Sequence, residues 1–482
     1  MRPPTVLCPT GRVRSRPGRS RTAPGRPCCC SVQDTVRNEG QLRTPSDDAV
    51  REGTVVLVGD VRESDRVDAT CAAVRRAGDS VLLLGARDAP EPPAAEAPPQ
   101  RLSKFHAPEI VFGPDSVQEA AHAAVRLGAR RPFVVTDPGL LEAGWPSDLL
   151  AHLRATGLAP ELWFDVTPNP KDHEIEAGFA RYVEAGCDVV LGIGGGSVMD
   201  AAKGVALLAA NGGRIHDYEG IDRIEHPIPP MIMLPSTSGT GADVSQFCIV
   251  TDTDRHTKMT IMGRALVPDV SVIDPRLLTT MPDDLNAATG LDALTHGIEA
   301  FVSLAHGPLT DHHALQAISL VHANLVRTMM RPNDAAARCA MAQAALEAGL
   351  AFTNAILGAT HAMSHQAGGM LDLPHGVVNG VLLPHVIRFN GAAVPERFVP
   401  IAQAMGLSDI AGAPAEEAVE RVAEEVRRLG DEVGVPKGLG DLGVTDADIP
   451  RLAQLTLSDA CLTTNPRPAS MVEVAALFRA AM

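Results

Sequence analysis

Three histidines lie close together in the segment THAMSHQAGGMLDLPHG, which covers residues 360–376. His361 and His365 are four residues apart, so on a helix they would lie on one face, one turn apart. His375 follows ten residues later, directly after Pro374, where a loop is expected. A lone histidine on an apolar helix is usually a core residue, so this segment becomes informative only together with other residues.

A second pair with the same spacing lies upstream, in the helical-looking segment GLDALTHGIEAFVS. Asp292 and His296 would present a carboxylate and an imidazole on one helix face. One carboxylate with three imidazoles is a ligand set that suits a divalent transition metal. The two pairs and the additional histidine therefore predict a metal site. The spacing alone leaves open which three of the four histidines are ligands.

Two glycine-containing loops could bind the phosphates of a nucleotide. The apolar run at residues 188–193 leads towards the helical-looking segment SVMDAAKGVALLAA through a turn made of Gly194, Gly195, Gly196 and Ser197. Such a turn brings backbone N–H groups and a helix N-terminus close to a phosphate, although the usual dinucleotide fingerprint would need a glycine at Ser197. A second loop after the apolar run MIMLP contains Ser236, Thr237 and Thr240. Because the carboxyl ends of parallel strands share one edge of a sheet, both loops are predicted to form one nucleotide site.

Asp137 ends a third apolar run, PFVVTD. An acidic residue at this point could accept hydrogen bonds from ribose hydroxyls and repel a 2′-phosphate, which would favour NAD over NADP. The alternative is a turn-forming aspartate ahead of Pro138 and Gly139.

These groups must be positioned by alternating strands and helices. The runs at 132–137, 188–193 and 231–235 are continuously apolar, and helical patterns such as residues 173–186 lie between them, which predicts a parallel sheet covered on both faces. After about residue 282 long helical patterns replace the strands. We therefore predict an α/β nucleotide-binding domain over residues 101–284 and an all-α domain over residues 285–482. Residues 1–100 form an extension that is expected to be largely disordered, with a strand–helix–strand pattern at 53–87 and a Pro/Ala linker at 89–100.

Composition excludes several classes of partner. The formal net charge is -16 over 482 residues, which argues against nucleic acid or an anionic membrane as the main partner. The chain has no apolar run long enough to cross a bilayer. Nine cysteines without a CxxC pair argue against a disulfide framework and favour a cytoplasmic location.

From about Phe105 to the C-terminus, the motifs resemble the iron-containing (group III) alcohol dehydrogenase family. They are FHAPEIVFGPDS, VVTDPGLLEAG, GIGGGSVMDAAKG, PSTSGTGADVS, TGLDALTHGIEA, the histidine segment and NPRPAS, in that order. The resemblance implies the fold of that family, which it shares with dehydroquinate synthase. It also implies reversible, NAD-linked oxidation of a primary or small alcohol to an aldehyde or ketone, with the alkoxide held by Fe²⁺ or alternatively Zn²⁺. Homo-oligomers are expected by the same comparison.

The resemblance also assigns roles residue by residue. It makes Asp292, His296, His361 and His375 the metal ligands, and it makes His365 a catalytic group that relays a proton. The cofactor positions are Asp137, Asn169, Gly194, Gly195, Gly196, Ser197, Asp200, Ser236, Thr237, Thr240 and Lys258. Phe352 and Cys461 fall in the substrate pocket. Two alternatives stay open: a glycerol-dehydrogenase-like or dehydroquinate-synthase-like enzyme on the same fold, and a non-catalytic regulator that binds metal or NADH.

Overall fold

The protein is represented by a computed structural model that describes residues 104–407 and 412–482, together with two strands nearer the N-terminus. The chain divides into two units, Met1–Arg101 and Leu102–Met482. In the first unit, β1 (Thr54–Gly59) and β2 (Ser80–Gly85) pair in parallel, which confirms both strands predicted within residues 53–87. The predicted helix between them, the tail and the Pro/Ala linker lie outside the described residues.

The second unit contains a six-stranded sheet in which every pair of neighbours is parallel. Its order is β3 (Glu109–Phe112), β11 (Val270–Ile273), β8 (Met231–Pro235), β6 (Val189–Gly194), β4 (Pro132–Val135) and β5 (Glu161–Trp163). The residues of β4, β6 and β11 are all buried, as continuously apolar strands require when both faces are covered. The predicted parallel sheet is confirmed.

Helices cover both faces of this sheet. They are α1 (Val117–Arg126), α2 (Pro138–Glu142), α3 (Trp145–Ala155), α4 (Asp172–Ala185) and α5 (Gly196–Asn211). Alternation along the strands separates the two layers. Val134 packs with Leu149 of α3 on one face, whereas its neighbour Phe133 packs with Ile175 of α4 and Val205 of α5 on the other. The sheet therefore holds the glycine turn between β6 and α5 at its carboxyl edge.

A small second sheet, which the sequence patterns did not predict, adjoins α5. It consists of β7 (Gly220–Ile221), β9 (Phe247–Asp252) and β10 (Thr257–Met262); β9 and β10 form an antiparallel hairpin, and β7 pairs in parallel with β10. Cys248 and Val250 on its inner face pack into the same core as α5. The hairpin carries Lys258 towards the helical part of the unit.

Helices make up the rest of the chain, as predicted. They are α6 (Asp283–Val302), α7 (Pro308–Met330), α8 (Ala335–Ala355), α9 (Ala359–Leu371), α10 (His375–Gly391), α11 (Phe398–Ala404), α12 (Ala415–Glu432), α13 (Ile449–Thr456) and α14 (Met471–Ala480). Short 3-10 helices lie at Ile215–Tyr218, Arg264–Leu266, Pro275–Thr280, Pro395–Arg397, Leu439–Leu442 and Ala460–Thr464. Helix α6 is buried over most of its length and packs against α7, α8 and α10.

One prediction in this region was wrong. His375 was expected in a loop but is the first residue of α10. Pro374 occupies the position before the helix with an extended backbone (φ -64°, ψ 116°), where its missing N–H and fixed φ are tolerated, and the helix begins directly after it. His375 is therefore placed by a helix start rather than by a loop.

Within the described residues, no single helix is long and apolar enough to span a membrane; α8 and α9 pass a test of length and composition only as a pair, bent by 101°.

Candidate active site

A cleft lies where the carboxyl edge of the parallel sheet faces the helical region. It brings together most of the residues singled out from the sequence. Those that line it are Asn169, Gly196, Ser197, Asp200, Thr240, Lys258, Asp292, His296, Phe352, His361, His365, His375 and Cys461. Three helices supply the carboxylate and the histidines: α6 carries Asp292 and His296, α9 carries His361 and His365, and α10 begins at His375.

The Asp292 carboxylate is the centre of the histidine cluster. Its Oδ1 atom lies 3.6 Å from Nε2 of His361, 3.7 Å from Nε2 of His375 and 3.8 Å from Nε2 of His296. The ligand atoms of Asp292, His361 and His375 all lie within 4.8 Å of one another, and His296 stands beside this trio. The i,i+4 spacing on α6 thus places two donors on one face, as the sequence indicated.

Hydrogen bonds at the far side of the rings orient two of these imidazoles. Nδ1 of His296 lies 3.2 Å from the carbonyl oxygen of Gly239, and Nδ1 of His361 lies 2.6 Å from Oε2 of Glu299. Both oxygens can only accept, so each Nδ1 carries a hydrogen and each Nε2 is the atom that faces Asp292. The ring of Phe352 stacks on that of His296 with centroids 4.3 Å apart, which further fixes its plane.

The donor set fits a divalent cation. Nδ2 of Asn379 lies 2.8 Å from Oδ1 of Asp292 and 3.2 Å from Nε2 of both His361 and His375. An amide has only two hydrogens to offer, so Asn379 cannot donate to all three atoms at once. A buried carboxylate surrounded by imidazole nitrogens is the kind of site that divalent transition metals bind.

Burial and charge shift the titration of these groups in different directions. Burial lowers the pKa of His296 to about 4, although Asp292 opposes this effect. Burial would also lower the pKa of His361, but hydrogen bonds and charge from Asp292 and Glu299 raise it to about 9. Burial acts to raise the pKa of Asp292, yet the surrounding histidines hold it well below its usual range. The carboxylate is therefore ionised throughout the ordinary pH range.

His365 lies on the same helix as His361 but has a different partner. Its Nδ1 lies 3.0 Å from Oδ2 of Asp459, which also accepts from Nε2 of Gln366 at 3.0 Å. The carboxylate fixes the Nδ1 hydrogen, so the lone pair of His365 is on Nε2. His365 lines the cleft without being one of the imidazoles close to Asp292.

The two glycine-containing loops are in contact, as predicted. The backbone N–H of Ser236 donates to the carbonyl oxygen of Gly194 (2.8 Å). A methyl group on Gly196 would lie 2.8 Å from Cγ2 of Thr240, and one on Gly195 would lie 3.2 Å from Cγ2 of Thr237. The absence of side chains at these glycines therefore permits the two loops to approach each other.

Two polar groups line the cleft between the glycine turn and the hairpin. Burial lowers the pKa of Lys258 to about 8, although the charge of Asp200 opposes this effect. Burial raises the pKa of Asp200 to about 7, although the charge of Lys203 opposes it.

Asn169 has a left-handed backbone (φ 55°), which asparagine tolerates better than most residues. Its backbone N–H donates to Oγ of Ser197 (3.1 Å), which ties the segment before α4 to the glycine turn.

Several predicted cofactor residues lie at the sheet edge but do not line the cleft. They are Asp137, Gly194, Gly195, Ser236 and Thr237. Oδ1 of Asp137 accepts from the backbone N–H of Leu140 (2.9 Å) and caps α2, which is the turn-forming alternative considered for this residue. Its role at a ribose stays a prediction.

Lys203 is buried and, within the described residues, makes hydrogen bonds only to protein groups outside the cleft's histidine cluster. Its side chain is fully buried, and Nζ donates to the carbonyl oxygens of Ser245 and Phe247, both at 2.8 Å, and to Oγ of Ser245 at 3.2 Å. It therefore ties α5 to the start of the hairpin.

Three polar residues of the site were not singled out from the sequence: Glu299, Asn379 and Asp459. Each is a polar residue in an otherwise apolar or turn-rich segment, and each has at least one hydrogen-bond partner on a helix distant in the sequence. The only available signal was spacing. Glu299 lies three residues after His296 and Asn379 four after His375, so each shares a helix face with a histidine of the cluster.

The structure combines a parallel sheet, glycine-containing loops of the kind that bind nucleotide phosphates, and a carboxylate–histidine cluster facing those loops. This combination is typical of a metal-dependent oxidoreductase that uses a nucleotide cofactor. Residues 107–275 match the family described as iron-containing alcohol dehydrogenase, and residues 286–482 match the C-terminal part of the Fe-containing alcohol dehydrogenase family. The chain belongs to the iron-containing alcohol dehydrogenase family.

Individual relatives agree with this assignment. The chain is 40% identical over 384 residues to a 1,3-propanediol dehydrogenase of Klebsiella pneumoniae, which covers 79% of this chain and 99% of the relative. It is 36% identical over 378 residues to an NAD-dependent methanol dehydrogenase of Bacillus methanolicus, covering 78% of this chain and 99% of the relative. A crystal structure of 1,3-propanediol oxidoreductase superimposes with a TM-score of 0.77 at 39% identity, covering 79% of this chain and all (100%) of the other.

These findings confirm the predicted class: a metal-dependent alcohol dehydrogenase of the iron-containing family, with NAD and iron as its cofactors. They favour this class over the two alternatives left open by the sequence.

Proposed function

We propose that this protein interconverts small primary alcohols and their aldehydes with NAD⁺ and NADH, releasing one proton per alcohol oxidised. The observation that carries the proposal is the shared cleft: the carboxylate–histidine cluster and the glycine turn at the start of α5 open onto the same space. An oxidoreductase needs this arrangement because the reacting carbon and the cofactor must meet within contact distance.

The metal ligands in this proposal are Asp292, His296, His361 and His375. The burial of Asp292, His296 and His361 supports the assignment. So do the approach of all three imidazoles to one carboxylate oxygen and the hydrogen bonds that orient the rings of His296 and His361. A divalent cation bound there supplies Lewis acidity, which favours the deprotonated form of an alcohol. We propose iron as the native metal, in agreement with the family to which the chain belongs. Zinc is the alternative, because the Irving–Williams order gives Zn²⁺ the greater intrinsic affinity for such ligands.

The cofactor side is formed by the loops at the carboxyl edge of the sheet. The start of α5 offers free N–H groups and a partial positive charge at Gly196 and Ser197, which suits a pyrophosphate. Thr240 contributes a hydroxyl from the second loop, and Asn169 and Lys258 close the cleft from the other side. NAD⁺ held by these residues would supply the acceptor for the hydride of the alcohol carbon. Asp137, at the end of β4, is proposed to contact the adenosine ribose.

The substrate pocket is largely apolar where it meets the histidines. Phe352, Leu357, Phe247 and Cys461 line this part of the cleft. Such a lining favours small alcohols with few polar groups. The names of the relatives agree with this size class, since one is a 1,3-propanediol dehydrogenase and another a methanol dehydrogenase.

His365 is the proposed proton carrier. Because Asp459 holds the hydrogen on Nδ1, the Nε2 atom is available to accept a proton released within the cleft. In the reverse direction the same atom returns the proton, as microscopic reversibility requires.

Two further inferences concern the setting of the enzyme. We propose a homo-oligomer, because β3 is an edge strand with Ile110 and Phe112 exposed, and light scattering would test this.

A cytoplasmic location is supported by the free state of all four cysteines among the described residues, Cys187, Cys248, Cys339 and Cys461.

The test is to replace one ligand and to follow metal content and NADH formation together. Asp292→Ala or His296→Ala should lose both, and protein reconstituted separately with iron and with zinc should differ in rate on the same alcohols. Assays with methanol, ethanol, 1,3-propanediol and glycerol separate the proposed substrate class from a glycerol-specific enzyme. Turnover that persists in a variant without bound metal would refute the proposal.

A further inference from the structure

Glu299 is a buried carboxylate one turn beyond the last cluster residue of α6. Its relative exposure is 2%, and it shares that helix with Asp292 and His296, seven and three residues upstream. A buried carboxylate is costly unless hydrogen bonds or opposite charges compensate for the lost hydration. Its partners therefore define what it does.

In the described part of the chain, the donors to this carboxylate come from the start of α9. Oε2 accepts from Nδ1 of His361 (2.6 Å), from the backbone N–H of Gly358 (3.1 Å) and from that of His361 (3.4 Å). Oε1 accepts from the backbone N–H of Thr360 at 2.6 Å. The same side chain thus binds a helix N-terminus and the ring that this helix presents to the cluster.

The contact replaces a local cap. Helix α9 follows Gly358, which has no side chain to cap the first turn. Glu299, which lies on α6, accepts hydrogen bonds from three backbone N–H groups at the start of α9. Oδ1 of Asn465 accepts from a fourth, the N–H of Ala359, at 3.0 Å. A methyl group on Gly358 would lie 2.8 Å from Oδ1 of Asn465 and 3.0 Å from Oε1 of Glu299, so the glycine permits both acceptors to approach.

The consequence for His361 is geometric. A carboxylate is an acceptor only, so it requires a hydrogen on Nδ1 and turns Nε2 towards Asp292, 3.6 Å away. Because Glu299 also holds the first turn of α9, the ring and its backbone are fixed to α6, the helix that carries two of the other three proposed ligands. In metal sites, such an outer carboxylate orients its histidine and raises the basicity of the ligand nitrogen.

We propose that Glu299 is a positioning residue that sets the metal affinity of the site by fixing both the tautomer of His361 and the start of α9. The inference rests on the proposed role of His361 as a metal ligand. It assigns to Glu299 no contact with substrate or cofactor.

The decisive variant is Glu299→Gln. Glutamine keeps the size of the side chain but offers one acceptor and one donor group. Its NH₂ group would face either His361 Nδ1 or the Thr360 N–H, which are both donors, so one of the two contacts must be lost. The matched control is Asn465→Ala, which removes a cap from the same helix start without touching the ring of His361.

Affinity for Zn²⁺ and Co²⁺ is measured by competition with a chelator, and the melting temperature of the metal-free protein is measured in parallel. We expect both variants to melt lower, but only Glu299→Gln should bind metal about 10–100-fold more weakly. The absorption spectrum of bound Co²⁺ should also change in Glu299→Gln alone. Metal affinity within about threefold of the wild type, or an equal loss in Asn465→Ala, would overturn the inference and leave Glu299 as a helix cap only.

Two further variants complete the test. If Glu299→Gln does not fold, Glu299→Asp keeps the charge with a shorter reach, and unchanged metal affinity in that variant would also overturn the inference. His361→Ala separates the two levels of the argument. If it binds metal like the wild type, the proposed ligand set is wrong; if it loses metal while Glu299→Gln does not, only the positioning role fails.

Discussion

Gly376 follows His375 in the first turn of α10 and leaves no room for a side chain. A Cβ atom at this position would lie 2.2 Å from the carbonyl oxygen of Ala288 and 3.3 Å from Cβ of Asp292, both on α6. Ordinary van der Waals contact begins near 3.4 Å. Since the obstacle is backbone, Gly376→Ala would force α10 to retreat from α6 by about 1 Å.

The expected effects follow from that displacement. Overpacking of this kind costs about 1–3 kcal/mol of folding free energy. Metal–ligand distances tolerate deviations of only about 0.2 Å, so moving the proposed ligand His375 by about 1 Å should prevent it from binding the metal. We expect metal affinity to fall at least about tenfold and kcat to fall about 100-fold, since misplacement on this scale has that effect on catalysis.

The assay compares metal affinity, kcat and unfolding free energy in Gly376→Ala and in a control, Gly430→Ala. Gly430 is also a buried helical glycine, but a Cβ there would meet nothing closer than Cβ of Val435 at 3.9 Å. The control should bind metal normally and gain up to about 1 kcal/mol of stability, because alanine is the better helix former. If Gly376→Ala binds metal within about threefold of the wild type, the contact between α6 and α10 does not position His375.

Two further predictions concern other parts of the molecule. Asp137→Gly should lower the preference for NAD over NADP, measured as the ratio of kcat/KM, because it removes the acid at the end of β4; an unchanged ratio would exclude a ribose contact. Hydrogen bonds from Arg428, and next from His322, lower the pKa of Glu425 from its ordinary 4.5 to about 2. A lowered pKa stabilises the fold above pH 4.5 and ceases to do so as the pH falls towards 2. Because Arg428 is half exposed, solvent screens its interaction with Glu425, so Glu425→Gln should lower the free energy of unfolding by only about 1–2 kcal/mol at pH 7. At pH 3 the loss should be clearly smaller, as measured in denaturant titrations. An equal loss at both pH values would contradict the assignment.

Residue patterns predicted the elements whose side chains all meet the same environment. The runs that became β4, β6 and β8 are apolar at nearly every position because both faces of the sheet are covered. The pairs on α6 and α9 were visible because the i,i+4 spacing brings two chemically active groups onto one face.

The missed features depend on contacts between distant parts of the chain. The strand of the hairpin that carries Lys258, TKMTIM, mixes polar and apolar residues without strict alternation after a charged turn, and its pairing with β9 makes it a strand. Glu299 was not singled out, because its acceptor role depends on N–H groups that follow about sixty residues later. The helix start at His375 was obscured because proline and glycine on either side of it usually indicate a loop.

The loop after β8 connects the proposed cofactor side and the proposed metal side through backbone contacts. The carbonyl oxygen of Gly239 accepts from Nδ1 of His296, and a Cβ on Gly239 would lie 2.4 Å from the carbonyl oxygen of Thr289 on α6. Gly241, with φ +57°, approaches Cα of Gly349 on α8 so closely that a Cβ would lie 2.6 Å from it. Backbone atoms in such contacts cannot change rotamer to relieve strain. Gly239 and Gly241, which do not line the cleft, therefore help to set the distance between the proposed cofactor loop and the proposed ligand His296.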